Sequence, residues 1–282
     1  MNIEVEDLHF SYPGGVEALR GITLRIEGGE LVAMVGQNGS GKTTLVKHFN
    51  GLLQPSRGCV RVGDWDTRTV SVARLASRVG YVFQNPDDQL FCKTVAEEVA
   101  FGPRNLGYAP EKVEQLVRRA LAWTGLTGRE GTNPYDLSPT WRKMVALAAV
   151  LSMDTPVVIF DEPTTGQDWQ SVARMARVIA MLREEGKTVI TITHDMDFCA
   201  ENFTRVIALG GGQVLLDGPA DEVLGEAEIL AQTFVEPPQL VRLARRLGWK
   251  ETPLTIPVFL DACRRSVRKE DGADGAERRF DT

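Results

Sequence analysis

Hydrophobic positions along this chain hold one period for a stretch and then change it. In "IEVEDLHF" and "ITLRIEGG" apolar and polar residues alternate, the pattern of strands that bury one face. "ELVAMVG" is apolar without a break from Leu31 to Val35, as in a strand covered on both faces. A glycine-rich loop and an amphipathic helix follow, then strand-like segments around Val60 and Tyr81. From about Thr94 to Ser152 the period lengthens to that of helix. Val113, Leu116, Val117, Ala120 and Leu121 fall on one face, and Thr94 with Glu97 has the spacing of a capping box. Strand signal returns at "PVVIF", followed by a helix with Val172, Met175, Ala176, Ile179 and Leu182 on one side, a stop at Gly186 and a strand at "TVITIT". Strand, helix and strand in succession predict an α/β fold on a parallel sheet, into which a helical subdomain of about 88–155 is inserted. The pattern divides the chain into a main domain over 1–218, a helical extension over 219–263, and a charge-dense tail over 264–282 that is expected to be disordered.

Composition narrows the functional classes. A chain of 282 residues, 43% of them hydrophobic, can bury a sizeable core. No apolar run approaches the roughly 18 to 20 residues that cross a bilayer, and "MNIEVEDLHF" lacks the blocks of a signal peptide, so the chain is expected in the cytosol. Cys59, Cys92, Cys199 and Cys263 are scattered without metal-ligand spacing and fit small buried apolar residues in a reducing compartment. A net charge of −6 argues against a broad basic surface for nucleic acid.

"GQNGSGKTT" fits the phosphate-loop pattern G-x-x-x-x-G-K-[ST] from Gly36 to Thr43, and it stands after an apolar strand and before a helix, where the chemistry requires it. Gly36, Gly39 and Gly41 let the backbone wrap phosphate oxygens, with Asn38 and Ser40 between them. The helix start presents unpaired N–H groups, Lys42 neutralises charge, and the hydroxyls of Thr43 and Thr44 complete the loop, Thr43 as a ligand for Mg²⁺. "VVIFDEPTT" is the complement. Four apolar residues make a buried strand, so Asp161 emerges at its carboxyl end, beside the loop, where it can hold Mg²⁺. Glu162, next along, is placed to orient the water that attacks a phosphoryl group.

With these motifs in order, the sequence resembles the ATP-binding cassette ATPases, over about Glu4 to Gly218. The resemblance implies a P-loop NTPase core of mostly parallel sheet with an N-terminal antiparallel β element and an inserted helical subdomain. It also implies ATP and Mg²⁺ as cofactors. "FSYPGG" puts Tyr12 where the family stacks an aromatic on adenine. Gln84 in "YVFQNPDDQLF" matches the glutamine that senses the γ-phosphate and Mg²⁺ and couples to the membrane partner. "TTGQD" brings Asp168 to the D-loop aspartate, and His194 in "TITHD" matches the switch histidine. "VGYVFQNPDDQLF" with "TVAEEVAFGPRNLG", and "EPPQLVRLARRLG" after the cassette, are similar to the ATPases of energy-coupling-factor transporters, which import vitamins and transition-metal ions.

The signature departs from the family. Where relatives read Leu-Ser-Gly-Gly-Gln, this chain has "LSPTW": Leu137 and Ser138 remain, and Pro139, Thr140 and Trp141 replace the rest. Pro139 deletes a backbone donor, and Trp141 is expected to place a large ring where an amide would meet ribose and phosphate. Ser138 can cap the following helix and Pro139 suits its first position, so the fold should survive the change. In the family each nucleotide lies between the phosphate loop of one cassette and the signature of the other. The expected partners are therefore a second ATPase subunit with an intact signature, in a heterodimer, together with a transmembrane coupling subunit and a substrate-binding membrane subunit, and no nucleic acid. The expected location is peripheral, on the cytoplasmic side of the cell membrane. A competing view takes "LSPTW" as tolerated, since the N–H groups of Thr140 and Trp141 still open the helix. The alternative function is a soluble cassette ATPase acting on nucleic acid or ribosomes, and a non-catalytic regulatory cassette is a further rival, opposed by the presence of Glu162 and His194.

Overall fold

The computed structural model describes the backbone of residues 1–277. Its strands are β1 (Ile3–Ser11), β2 (Glu17–Ile26), β3 (Leu31–Val35), β4 (Arg57–Val62), β5 (Trp65–Asp66), β6 (Val79–Val82), β7 (Val157–Asp161), β8 (Thr188–Ile192), β9 (Arg205–Gly210) and β10 (Gln213–Pro219). They make two sheets: a four-stranded antiparallel one ordered β2-β1-β4-β5 and a six-stranded one ordered β10-β9-β3-β8-β7-β6. In the larger sheet β9, β3, β8, β7 and β6 run parallel, and β10 turns back antiparallel on β9.

The unbroken apolar run of β3 has a geometric cause. Leu31, Ala33 and Val35 enter one core, Val32 and Met34 the other, and β7 divides Val158 and Phe160 from Val157 and Ile159 in the same way. One core joins the two sheets and takes Leu45, Val46 and Phe49 from the helix Lys42–Phe49. The other lies beneath the inserted helices and Trp169–Glu184. In β1 the phase of the pattern slips between Val5 and Leu8. The slip is absorbed by a register shift on both neighbours, with Asp7 at φ 46° and Gly58 packed so close that a Cβ there would lie 2.2 Å from the Asp7 carbonyl oxygen.

The insertion leaves after β6 and returns at β7, which are paired neighbours with Val79 opposite Val157. It consists chiefly of the helices Val95–Asn105, Pro110–Thr124 and Pro139–Leu151. Thr94 Oγ1 accepts the Glu97 N–H at 3.2 Å while the Glu97 carboxylate accepts the Thr94 N–H at 3.1 Å, which is the capping box expected from spacing. After β10, Ala220, Val223, Leu224, Leu230 and Val235 join the core beneath the helices. The extension is fastened further by the Gln239 N–H, which donates to Asp197 Oδ1 at 2.8 Å.

The last helix, Ile256–Glu277, continues through part of the stretch where charge density predicts disorder from 264 onward. Its arginine, lysine, glutamate and alanine are good helix formers, and their propensity outweighs the two glycines there. The rest of that expected tail, 278–282, lies outside the described residues.

Candidate active site

All five parallel strands end at one edge of the sheet, and the residues after β3, β6, β7 and β8 face a cleft of about 560 Å³. This is the crevice beyond the strand carboxyl ends where open α/β sheets bind ligands. Its floor is the phosphate loop. Gly36, Gly39 and Gly41 have φ of 139°, 81° and 104°, a region that side chains rarely adopt. A Cβ on Gly36 would come within 2.2 Å of the Leu209 carbonyl oxygen, whereas one on Gly39 would meet nothing within 4 Å because that residue faces the open cleft. Gly41 caps the helix with no side chain, so the first N–H groups of Lys42–Phe49 stay available to a ligand.

Lys42 is buried and curls over its own loop, its Nζ donating to the carbonyls of Gly36 at 2.7 Å and Gln37 at 2.9 Å and lying 3.4 Å from Ser40 Oγ. Burial pushes its pKa down, and Glu162 and Asp161 oppose that shift. Asn38, Thr43 and Thr44 line the cleft, and Ser40 is buried beneath it. The Tyr12 hydroxyl lies 3.0 Å from Thr44 Oγ1, and its ring stands edge-on to Phe10 at 4.9 Å between centroids. Tyr12 thus flanks the loop and does not line the cleft itself.

Asp161, 4% exposed, accepts from Tyr81 at 2.6 Å through Oδ2 and from Thr43 at 3.3 Å through Oδ1. Burial pushes its pKa up while the two hydroxyls pull it down. Burial likewise pushes the Tyr81 phenol up, so it remains a donor. A desolvated carboxylate beside a threonine hydroxyl is a pair of hard oxygen donors that a divalent cation would relieve, so these residues fit Mg²⁺. Gln84 lines the same cleft from the end of β6.

Glu162 has φ of 51°, rare for a residue with a side chain, and its N–H donates to the Ile192 carbonyl at 2.9 Å. The turn sends its carboxylate toward His194, whose Nδ1 lies 2.8 Å from Oε2, and Thr165 Oγ1 donates to the same oxygen at 3.3 Å. The Nδ1 edge is turned to the carboxylate and the ring itself is exposed.

Several participants were not evident from the sequence. Lys143, from the helix Pro139–Leu151, donates to the Glu162 carbonyl at 2.6 Å and reaches that of Thr165 at 3.4 Å. Its burial pushes its pKa down to about 8, against the pull of Glu162 and Asp161. Gln89 accepts the Phe83 N–H at 3.2 Å and donates to the Ala146 carbonyl at 3.0 Å, tying the Gln84 segment to that helix. Phe234 and Val235 of the extension line the cleft, Phe234 at φ 54° and 80% exposed. Only Tyr81 had a sequence signal, a hydroxyl inside an otherwise apolar strand.

Ser138 and Asp168 do not line this cleft. Asp168 caps Trp169–Glu184 by accepting the Ser171 N–H at 2.8 Å. Ser138 occupies the cap position of its helix, with Pro139 first, but its hydroxyl makes no capping bond, contrary to expectation. The packing of Trp141 could not be read from its motif position. Its ring is half-buried against the core beneath the helices, with the guanidinium carbons of Arg129 and Arg174 at 4.5 and 4.9 Å from its centroid. Apolar burial draws the ring back toward the subdomain. Trp141→Ala should therefore lower unfolding stability by about 2 kcal/mol with secondary structure retained, which a denaturant titration checks.

Comparison with known proteins places the chain in a family. The family model described as "ABC transporter" matches residues 19–165. An ABC transporter ATP-binding protein of Caldanaerobacter subterraneus subsp. tengcongensis is 41% identical over 263 residues, which are 93% of this chain but only 46% of that relative, so the chain spans about half its length. The energy-coupling factor transporter ATP-binding protein EcfA of Methanothermobacter thermautotrophicus is 40% identical over 247 residues, 87% of this chain and 79% of the relative. The solved structure of CbiO1 from Clostridium perfringens, described as part of the ABC transporter complex CbiONQ, superposes with a TM-score of 0.73 at 34% identity, covering 86% of this chain and 98% of that one. Phosphate loop, Glu162 and His194 around one cleft with Asp161 behind it, an inserted helical subdomain and these likenesses over most of the chain place it in a family: the chain belongs to the ABC transporter family, as one of its ATP-hydrolysing cassettes.

Proposed function

We propose that this ATPase energises a membrane importer of the energy-coupling-factor type, for a vitamin or a transition-metal ion, as a peripheral subunit on the cytoplasmic side of the cell membrane. The observation that carries the hydrolytic part is the convergence of Lys42, Glu162 and His194 on one cleft, with Asp161 buried just behind it and bonded to Thr43 of its lining. The likeness to EcfA and CbiO1 supports the importer class.

In this proposal the N–H groups of Gly39, Gly41 and Thr44 cradle phosphate oxygens, the Ser40 N–H joins them by leaving the Gln37 carbonyl it holds at 3.1 Å, and Lys42 gives up its loop carbonyls to neutralise them. Thr43, Asp161 and Gln84 hold Mg²⁺, which when bound offsets charge on the phosphates. Tyr12 supports the adenine. Glu162 accepts a hydrogen bond from the attacking water and orients it, and His194, bonded to Glu162, ties that carboxylate to the γ-phosphate. Membrane subunits dock at the groove around Gln84 and the helical subdomain, where Phe91 and Phe101 form an exposed edge-on pair. No helix among the described residues is long and apolar enough to cross a membrane.

Ser138 and Asp168 serve the interface with a second cassette. A homodimer would face both phosphate loops with "LSPTW", which lacks the Pro139 N–H, whereas a heterodimer with an intact partner signature keeps one full site, the one built here. The chain alone should hydrolyse ATP slowly and gain about 10-fold or more when joined by that partner. The triple change Pro139→Gly, Thr140→Gly and Trp141→Gln should raise the rate of the chain alone, with its melting temperature followed because Trp141 packs in the subdomain. Brisk turnover by the unmodified chain alone, unchanged by the rebuilt signature, would sink the heterodimer.

A further inference from the structure

Lys143 is 2% exposed, and its ammonium bonds only to main-chain carbonyls, those of Glu162 and Thr165. Among the described residues no carboxylate lies within 4.0 Å of it, although Glu162 and Asp161 are near enough to raise its pKa against burial. Burying a cation to make two carbonyl bonds is a costly way to staple a helix to a loop, since a neutral donor would serve. The loop it grips is the place where the backbone departs from ordinary geometry. Glu162 sits in the left-handed region, its N–H held by the Ile192 carbonyl on one side and its C=O held by Lys143 on the other. Release of either clamp lets the residue relax toward the common region, which would swing the carboxylate away from His194 and Thr165.

We infer that Lys143 is a positioning residue for ATP hydrolysis, fixing the left-handed turn at Glu162 so that its carboxylate faces the cleft. The ammonium is turned to the main chain of the Glu162 loop and does not line the cleft. Lys143 lies five residues beyond Ser138 on one rigid helix, so the same helix that offers Ser138 to a second cassette also sets the carboxylate of this one. The role rests on Glu162 being the water-orienting group proposed above.

The test uses the assembled complex with Lys143→Met, Lys143→Gln and Lys143→Arg, each also in a Glu162→Gln background. Lys143→Met should lower kcat by about 10²-fold, with KM and the dissociation constant of a fluorescent ATP analogue within about threefold of the parent. Lys143→Arg, which keeps a charged donor, should recover part of the loss. In the Glu162→Gln background Lys143→Met should change the residual rate less than twofold, because its effect passes through the carboxylate. If Lys143→Met does not accumulate as folded protein, Lys143→Gln, which keeps a donor and similar bulk, is read in the same cycle. A kcat within threefold of the parent, or an equal fold loss with and without Glu162→Gln, overturns the positioning role. An inactive parent complex would instead overturn the transporter reading on which it rests.

Discussion

Glu162→Gln is expected to lower kcat for ATP in the assembled complex by about 10³-fold, or about 4 kcal/mol of barrier, while ATP affinity stays within a few-fold. The substitution preserves bulk and leaves a carbonyl oxygen that can still accept from His194 and Thr165. Glutamine meets the φ of 51° with the same strain as glutamate, so the fold has no reason to change. What is lost is the negative charge that would orient water and accept its proton as phosphorus is attacked. The loop that would hold the phosphates is untouched, because Lys42 bonds to Gly36, Gln37 and Ser40 and not to Glu162. Equilibrium binding of a fluorescent ATP analogue and single-turnover hydrolysis separate the two effects. Turnover at the parental rate would remove Glu162 from the reaction.

Lys42→Ala should act earlier. Its ammonium has two jobs, holding the loop through the carbonyls of Gly36 and Gln37 and, in the proposed reaction, neutralising the phosphates. Among the described residues no other lysine or arginine lines the cleft, so alanine leaves the triphosphate facing Asp161 and Glu162 with chiefly backbone N–H groups. A weakening of ATP binding by about 10²-fold or more is expected, since charge-assisted bonds to phosphate contribute roughly 1.5–3 kcal/mol each. The stabilisation that ATP confers on melting should vanish with it, as ligand stabilisation follows occupancy. Wild-type affinity in this variant would refute the role.

How much of this was legible depended on whether the signal was local. The phosphate loop, Asp161 and Glu162 could be read because their chemistry demands fixed spacing and a preceding apolar strand, both visible in a few adjacent residues. The division of β3 and β7 between two cores was implicit in their unbroken apolar runs. Lys143 was hidden because a lysine on an amphipathic helix reads as surface, and only the approach of that helix to the Glu162 turn buries it. The packing of Trp141 was hidden for a related reason: motif position said where the residue stands, while Arg129 and Arg174, distant in sequence, flank its ring. The part of the last helix from 264 to 277 was read as disorder because charge density and helix propensity come from the same residues.

The contribution of Phe234 and Val235 to the cleft carries an obligation of thermodynamic reciprocity. The segment that bears them is held by Thr233 in the interior, by Val235 in the core and by the Gln239 bond to Asp197, three residues beyond His194. If nucleotide is bound more tightly when that segment is docked, then bound nucleotide must strengthen docking by the same factor. Amide hydrogen exchange at Thr233 to Gln239 would accordingly report occupancy of a site whose phosphate loop lies some two hundred residues earlier in the chain.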